Sequence, residues 1–435
     1  MPNRITLDQQ LPQISASQAL WQRASGLIPA GTQTLAKGPT QYVDGVAPKY
    51  LARGGGSHVW DVDGNEYIDM TMAVGPLVLG YGYPAVDRAI REQLESGITF
   101  SLMHPLEVEV AELVRRVVPG ADAVRFSKTG CDVTTAAVRL ARAFTGRDKV
   151  LCCGYHGWHD WYIGTTPRHA GVPVATRQLT EVFPYNDLFT LMESLDEEVA
   201  CVILEPTIFD APDNDYLRVL KRACEAAGAL LIFDEMWTGF RVALGGAQQR
   251  YDVTADLACF SKAIANGMPL AVLTGRADVM RLLEEEVFFF TTFGGEALSL
   301  AAAKATIEEL REREVPARLE QAGKRLQDGY NQLAAKKGLG HTRAMGLPCR
   351  TLIGFDAAVG DPLLQKSFVQ QELLRHGVLW TGFHNLSFSH SDADLEHVLK
   401  AYDRALDALG LALSRGALAE SLRGRPVQPV FRKTR

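Results

Sequence analysis

The chain is poor in the features that mark membrane, secreted and nucleic-acid-binding proteins. No stretch reaches the roughly 18 uninterrupted apolar residues that a membrane-crossing helix needs, so no span is expected. Cysteine is scarce, seven in 435 residues. The number is odd, there is no Cys-x-x-Cys, and most cysteines sit in apolar runs such as Val150 to Cys153 and Ala200 to Leu204. That excludes a disulfide scaffold and points to buried thiols in a reducing, cytoplasmic setting. There is no basic surplus: Lys+Arg is 45, Asp+Glu is 51, and the formal net charge is −6. A general binder of nucleic acid or anionic membrane is not expected. No internal repeat or long low-complexity segment is visible. Met1 to Gln22 lacks a continuous apolar core, so no secretory leader is expected.

What is present suits a large folded enzyme. Apolar residues make up 47% of the chain, enough for a sizeable core. The length corresponds to roughly three units of 150 residues, or two larger ones. The 39 glycines are about 9% of the chain, above the usual ~7%, so glycine-rich loops are expected.

Four regions follow along the chain. Residues 1–75 are loop-rich and contain a hairpin-like piece, Ser57 to Asp69, turning at Asp63-Gly64-Asn65. Residues 76–315 alternate short apolar runs with helical spacing. The runs are Val124–Phe126, Lys149–Cys153, Val199–Leu204, Ala229–Phe233, Leu257–Phe260 and Ala271–Thr274. Val133–Thr145 and Leu217–Ala227 have helical spacing. This pattern predicts an α/β fold with a mostly parallel sheet covered on both faces. The stretch 296–337 reads as helical, and residues 316–415 as a smaller α+β domain. Residues 416–435 form a basic tail, with Arg423, Arg425, Arg432, Lys433 and Arg435, expected to be solvated or draped on a partner.

Four places carry candidate chemistry. In Leu230 to Arg241 an apolar strand delivers Asp234 and Glu235 at its C-terminal end, where open α/β sheets bind ligands. A carboxylate there can pair with a cationic ring nitrogen; a surface Asp-Glu after a core strand would look the same. Ser261-Lys262 follows another apolar run. A lysine at a strand end loses its proton more readily than a solvated one, and the free amine attacks aldehydes. An ordinary surface lysine is the alternative. Ser127 to Asp132, with Thr129, Gly130 and Cys131, lies between a strand and a helix, where freed N–H groups can bind phosphate. Finally, Gly154 to Trp161 follows a strand end and offers Tyr155 for stacking on a planar ring. His156, His159 and Asp160 lack a third nearby ligand of zinc-site type, so no metal is expected.

A phosphate cradle, a stacking aromatic, a ring-nitrogen carboxylate and a Schiff-base lysine are together what a pyridoxal phosphate enzyme requires. The chain resembles the class-III, fold-type-I aminotransferases, in particular the glutamate-1-semialdehyde aminomutase-like branch. The resemblance spans about residues 20–410. It is carried by Trp60 to Asp69, Val138 to Arg147, Tyr155-His156-Gly157, Glu205-Pro206, Asp234-Glu235 with Thr238 to Arg241, Ser261-Lys262, and Phe290 to Gly295. It implies a large cofactor domain with a seven-stranded-type sheet, and an N-terminal segment that joins the small C-terminal domain. It further implies pyridoxal 5′-phosphate held by Lys262 as a Schiff base, with Asp234 on the ring nitrogen and Tyr155 stacked on the ring. Thr129, Gly130, Cys131, His156 and Glu205 complete the cofactor site. Thr291 or Thr292 reaches the phosphate of the neighbouring subunit in a homodimer.

The sequence departs from the aminomutase pattern in three places. Lys37 stands where that branch has an arginine gripping the substrate carboxylate, and only arginine offers a planar fork. Thr129-Gly130-Cys131 replaces Ser-Gly-Thr. The stretch Trp158 to Gly164 is aromatic, suited to stacking on sugar rings or bases, or to plain packing at a seam. The expected activity is therefore transfer of an amino group from an amino acid, glutamate for preference, to a keto or aldehydo carbonyl. The resemblance points to proteins of surface-polysaccharide and amino-sugar pathways. Intramolecular transfer of the aminomutase type is the alternative. Lys37 and Trp158 are the candidate substrate residues.

Overall fold

Strand-forming apolar runs separated by helices fold here into two units, described by a computed structural model that covers residues 5, 10–213 and 215–429. One unit contains the described residues up to Tyr83 together with those from Ala317 onward; the other is Pro84–Pro316. The first division thus falls at Tyr83 rather than at residue 75. No helix among the described residues is long and apolar enough to cross a membrane.

The first unit begins with a three-stranded antiparallel piece, β1 (Leu51–Gly55), β2 (His58–Asp61) and β3 (Glu66–Asp69). The turn of the expected hairpin joins β2 to β3. Asp61 holds it by accepting the N–H groups of Asp63 and Asn65.

The second unit is built on seven strands: β4 (Ala123–Ser127), β5 (Lys149–Cys153), β6 (Thr180–Val182), β7 (Val199–Leu204), β8 (Leu230–Asp234), β9 (Leu257–Phe260) and β10 (Ala271–Gly275). Their order is β4-β10-β9-β8-β7-β5-β6, and only β10 runs against its neighbours. Every residue of β7, β8, β9 and β10 is buried, as a sheet covered on both faces demands. Alternation sorts the side chains. Cys201, Ile203, Leu230 and Ile232 join the core that includes Val133, Val138 and Leu140 of the helix Gly130–Thr145. Val202, Leu204, Leu231 and Phe233 join the opposite core with Leu217 and Leu220 of the helix Tyr216–Ala227. The edge strand β6 has no counterpart among the sequence-predicted runs, because it is three residues long and two of them are exposed.

The 296–337 stretch is two helices, Ala297–Glu312 and Val315–Lys336, broken where Glu314 adopts a left-handed conformation. The first unit then resumes with β11 (Thr342–Met345), β12 (Arg350–Phe355), β13 (Val378–Leu379) and β14 (Phe383–Asn385). The strand β13 pairs in parallel with β3, so the two ends of the chain share one sheet.

The described part of the basic tail packs on its unit through backbone groups and one valine, while Arg423 and Arg425 are exposed. Leu418–Ser421 is helical, Arg425 bridges to Asp44 in antiparallel fashion, and Val427 is 3% exposed. Its apolar valine and its backbone groups find partners within the unit. Arg432, Lys433 and Arg435 lie outside the described residues.

Within the helix Val315–Lys336, Gly323 faces the Pro348 carbonyl so closely that a Cβ would lie 1.8 Å from it. Gly323→Ala should therefore lower stability by about 3 kcal/mol or more, despite alanine's better helix propensity. Thermal or denaturant unfolding checks this; a stabilised variant would contradict the packing described.

Candidate active site

Strands β4, β5, β7, β8 and β9 run in one direction, so the loops after them lie along one edge of the sheet. That edge receives Thr129–Cys131, Tyr155–His156, Glu205, Asp234 and Lys262. This is the carboxyl end, where ligands bind in such sheets.

Asp234 is the last residue of β8 and is buried. Oδ1 accepts the Met236 N–H at 3.1 Å, and Oδ2 lies 2.7 Å from Nδ1 of buried His156. The other ring nitrogen of His156 lies 3.1 Å from the Cys153 carbonyl. A carbonyl can only accept, so Nε2 carries hydrogen and Nδ1 is the ring atom that meets the carboxylate. The imidazole is stacked on Trp161 at 6.0 Å and bordered edge-on by Tyr162 at 5.3 Å.

Glu235, the other half of the sequence pair, points elsewhere. It accepts from the Thr238 hydroxyl and from the N–H groups of Ala247 and Gln248, at the start of the helix Gly246–Tyr251. Its role is to cap that turn.

Cys259 on β9 pairs with Asp234, and the chain continues to Lys262. Lys262 is half-buried with φ of 49°, a conformation unusual for a non-glycine residue and found mostly where function demands it. The Ser261 hydroxyl anchors the turn on the Leu270 carbonyl at 2.7 Å.

At the end of β4, Thr129 is the N-cap of the helix Gly130–Thr145, in a reciprocal capping box with Asp132. The Thr129 N–H is taken by Asp132 at 2.8 Å. The first-turn N–H groups of Gly130 and Cys131, which no preceding helical turn can satisfy, face the helix entrance. Glycine is required at 130: a Cβ would lie 2.8 Å from the Met236 sulfur. The same holds for two glycines of the loop after β5. A Cβ on Gly154 would meet Glu205 Oε1 at 2.7 Å, and one on Gly157 would meet Cys131 Sγ at 2.5 Å. Glu205 in turn accepts the Tyr155 N–H at 2.8 Å. Burial pushes the Cys131 thiol and the Tyr155 phenol upward, so both stay neutral near pH 7.

The structure thus brings Gly130, Cys131, Tyr155, His156, Glu205, Asp234 and Lys262 to one edge. Thr291 and Thr292 lie in an exposed loop beside Phe288, Phe290 and Phe293, tied down by Arg125 and Arg139 on the Phe289 and Phe288 carbonyls. Trp158 is 67% exposed, whereas Trp161 is buried and donates to Thr135. Lys37 belongs to the other unit, on the short turn Leu35–Lys37. Sequence reasoning missed Thr134 and Thr135, which hold the loop after β5 through the His156 carbonyl and the His159 ring. Their place one turn into the helix was the available signal.

The family pattern described as aminotransferase class-III matches residues 43–391. The chain belongs to the class-III aminotransferases. Its cofactor is pyridoxal phosphate. It is 37% identical over 425 residues to the glutamate-1-semialdehyde 2,1-aminomutase of Thermus thermophilus, covering 90% of this chain and 99% of the relative. It is 32% identical over 407 residues to the 3-aminobutyryl-CoA aminotransferase of Cloacimonas acidaminovorans, covering 90% and 97%. The FumI protein of Sphingopyxis sp. MTA144, solved in its PLP internal aldimine form, superposes with a TM-score of 0.85 at 29% identity, covering 92% of this chain and 97% of that one.

The residues at the sheet edge fit this cofactor. A helix entrance without a Cβ suits a phosphate, a buried carboxylate suits a protonated ring nitrogen, and a half-buried lysine just past the neighbouring strand suits an aldehyde.

Burial lifts the Glu235 carboxyl from 4.5 to about 7. The folded form therefore holds its proton more tightly than the unfolded one. The resulting stabilisation is complete below about pH 4.5 and is lost as pH rises through about 7. Glu235→Gln should flatten that part of the pH–stability curve, at a cost of about 1–3 kcal/mol from a mispaired backbone donor. Melting curves between about pH 5 and 8 test this, and an unchanged slope would refute it.

Proposed function

We propose that this chain is an intermolecular aminotransferase. It would take the amino group of an amino acid, glutamate for preference, and deliver it to a keto or aldehydo carbonyl, a sugar-derived one included. The observation that carries the aminotransfer chemistry is the buried His156–Asp234 pair, one strand away from Lys262. Pyridoxal phosphate, when bound, supplies an aldehyde carbon and an electron-withdrawing ring.

The roles of the chain's residues follow. Lys262 Nζ would hold the cofactor and, as the free amine, would carry a proton to and from the substrate carbon. Asp234 keeps a proton on the ring nitrogen, and His156 positions its carboxylate. Tyr155, 51% exposed, offers its ring face for stacking. Gly130 and Cys131 donate backbone N–H groups to the phosphate. Thr129 contributes by starting the helix, since its own N–H is taken. Glu205, which fixes the Tyr155 N–H, would serve the 3-hydroxyl side of the cofactor. In a homodimer, Thr291 or Thr292 of one subunit serves the phosphate of the other. The exposed aromatic rings of Phe288 (74%), Phe290 and Phe293 support a covering partner there.

Lys37 supports intermolecular transfer over the aminomutase alternative. Its ammonium is a point charge without a bidentate fork, suited to looser carboxylate recognition. Exposed Trp158 offers an apolar face for a ring-shaped acceptor. The aminomutase reading is favoured by the names of relatives such as that of Thermus thermophilus.

Lys262→Ala should abolish the borohydride-trappable adduct and lower turnover by about 10²–10⁴-fold or more. An adduct at wild-type level would overturn the assignment. Asp234→Asn should retain cofactor and lose about a hundredfold or more in rate. The two activity readings separate by donor dependence. Added glutamate should convert the cofactor spectrum to its amine form, and turnover should require that donor. Turnover of glutamate-1-semialdehyde with no added amino acid would decide for the aminomutase. For the shared site, mixing Lys262→Ala with a variant altered at both Thr291 and Thr292 should restore activity. No recovery after confirmed subunit exchange would exclude it.

A further inference from the structure

The first unit contains a cavity of about 420 Å³ bordered by Lys37, Tyr42, Lys49, Arg53, Asp69 and Thr71, among others. Its cations are unequal. Lys49 is neutralised by Asp44 at 2.7 Å. Lys37 and Arg53 form no ion pair among the described residues, and the Arg53 guanidinium lies 3.6 Å over the Trp60 ring. Two exposed cations thus border this cavity, whose carboxylate Asp69 is already engaged by the Thr71 N–H and the Tyr81 hydroxyl.

Lys37 stands at the start of a loop with little regular structure, two single turns at Leu35–Lys37 and Pro39–Gln41 followed by a further turn after Val43. The chain's C-terminal segment holds it. The Asp44 N–H donates to the Arg425 carbonyl at 3.1 Å, and the Arg425 N–H returns to the Asp44 carbonyl at 2.8 Å. The Gln428 N–H donates to the Thr40 carbonyl at 2.8 Å, and Gln41 Nε2 to the Gln428 carbonyl at 3.1 Å. The Arg425 guanidinium also pairs with Asp44. On its other side the segment is fixed to the helix Pro362–Arg375. The Arg423 N–H donates to Gln371 at 2.7 Å, and the Val427 N–H to Ser367 at 3.0 Å. The helix also grips the loop directly, through Gln370 on the Val43 N–H and the Gln41 carbonyl.

The approach of segment and loop depends on Gly424. A Cβ there would lie 2.5 Å from the Asp44 carbonyl and 2.8 Å from Val43 Cγ1. Such closeness of two backbones is the reason for glycine at this place. Val427, buried, is the apolar anchor.

We propose that Arg423–Gln428 is a positioning strap for substrate recognition. It holds the loop from Leu35 to Lys49 in place, so that Lys37 and Arg53 can meet a carboxylate of the amine donor or acceptor. The proposal rests on the substrate role of Lys37 given above. Backbone hydrogen bonds carry the strap, with Gly424 and Val427 as its side-chain requirements. The Arg425–Asp44 ion pair, exposed on the arginine side, adds little.

The test uses the full-length holoenzyme with Gly424→Val and Val427→Asp, each of which lifts the strap by a different route. Both should bind L-glutamate about tenfold or more weakly, from saturation of the cofactor's spectral change. The rate at saturation and the cofactor content should stay within about twofold, and amide exchange across 36–49 should quicken. Gly424→Ala should fall between. In the wild-type enzyme, the amides of Asp44, Arg425 and Gln428 should slow together when glutarate, an unreactive dicarboxylate, is added. Wild-type glutamate affinity in both variants, a loss confined to the saturated rate, or no response of those amides to glutarate would overturn the strap. Lys37→Ala separates this from the underlying reading. Unchanged affinity in that variant would sink the role of Lys37, whereas weakened binding there beside intact binding in both strap variants would sink the strap alone.

Discussion

A carboxylate buried at the end of a core strand is the constraint around which the larger unit is arranged. Removing an ion from water costs several kcal/mol even after relaxation, and only good geometry offsets it. Asp234 meets that requirement with a backbone N–H on one oxygen and a buried imidazole on the other. The imidazole needs its own partner, which the Cys153 carbonyl supplies at the end of β5. Two strands that are not neighbours in the sheet are thereby locked in register at their ends. The loop after β5 acquires a fixed path past the helix entrance.

Glycines make that path sterically feasible. At Gly130, Gly154 and Gly157 the missing Cβ leaves room for Met236, Glu205 and Cys131. Three loops can therefore crowd onto one edge without displacing the carboxylate. The helix Gly130–Thr145 gains a capped entrance from the same arrangement. Thr129 and Asp132 consume two backbone donors, and those of Gly130 and Cys131 remain directed outward. The strained conformation of Lys262 belongs here too, since the Ser261 anchor and the buried β9 hold it. The residues at this edge are therefore set on rigid strand ends.

Much of the fold was legible because buried parallel strands leave an unambiguous mark. The runs Lys149–Cys153, Val199–Leu204 and Leu257–Phe260 coincide with β5, β7 and β9, being apolar on both faces. The half-exposed β6 left no such mark. In the basic tail, charge and proline suggest solvent, and Arg423 and Arg425 are exposed; the docking beside them is carried by backbone groups that composition does not display. Asp234 and Glu235 are adjacent and of one chemical type, and only the family resemblance singled out Asp234. Alternation turns one toward His156 and the other toward a helix entrance.

The sequence by itself determined the chemistry at hand and the order in which it is delivered. A carboxylate, a lysine, an aromatic residue and a glycine-started helix each follow a strand, because strand periodicity and turn chemistry are local properties. The tertiary structure alone decided that Asp234 meets His156 while Glu235 caps a turn, and that Thr40 and Asp44 are bonded to residues nearly four hundred positions away. Those outcomes depend on hydrogen bonds and close approaches between segments distant in the chain. No local pattern encodes them; they exist only once burial has brought the segments together.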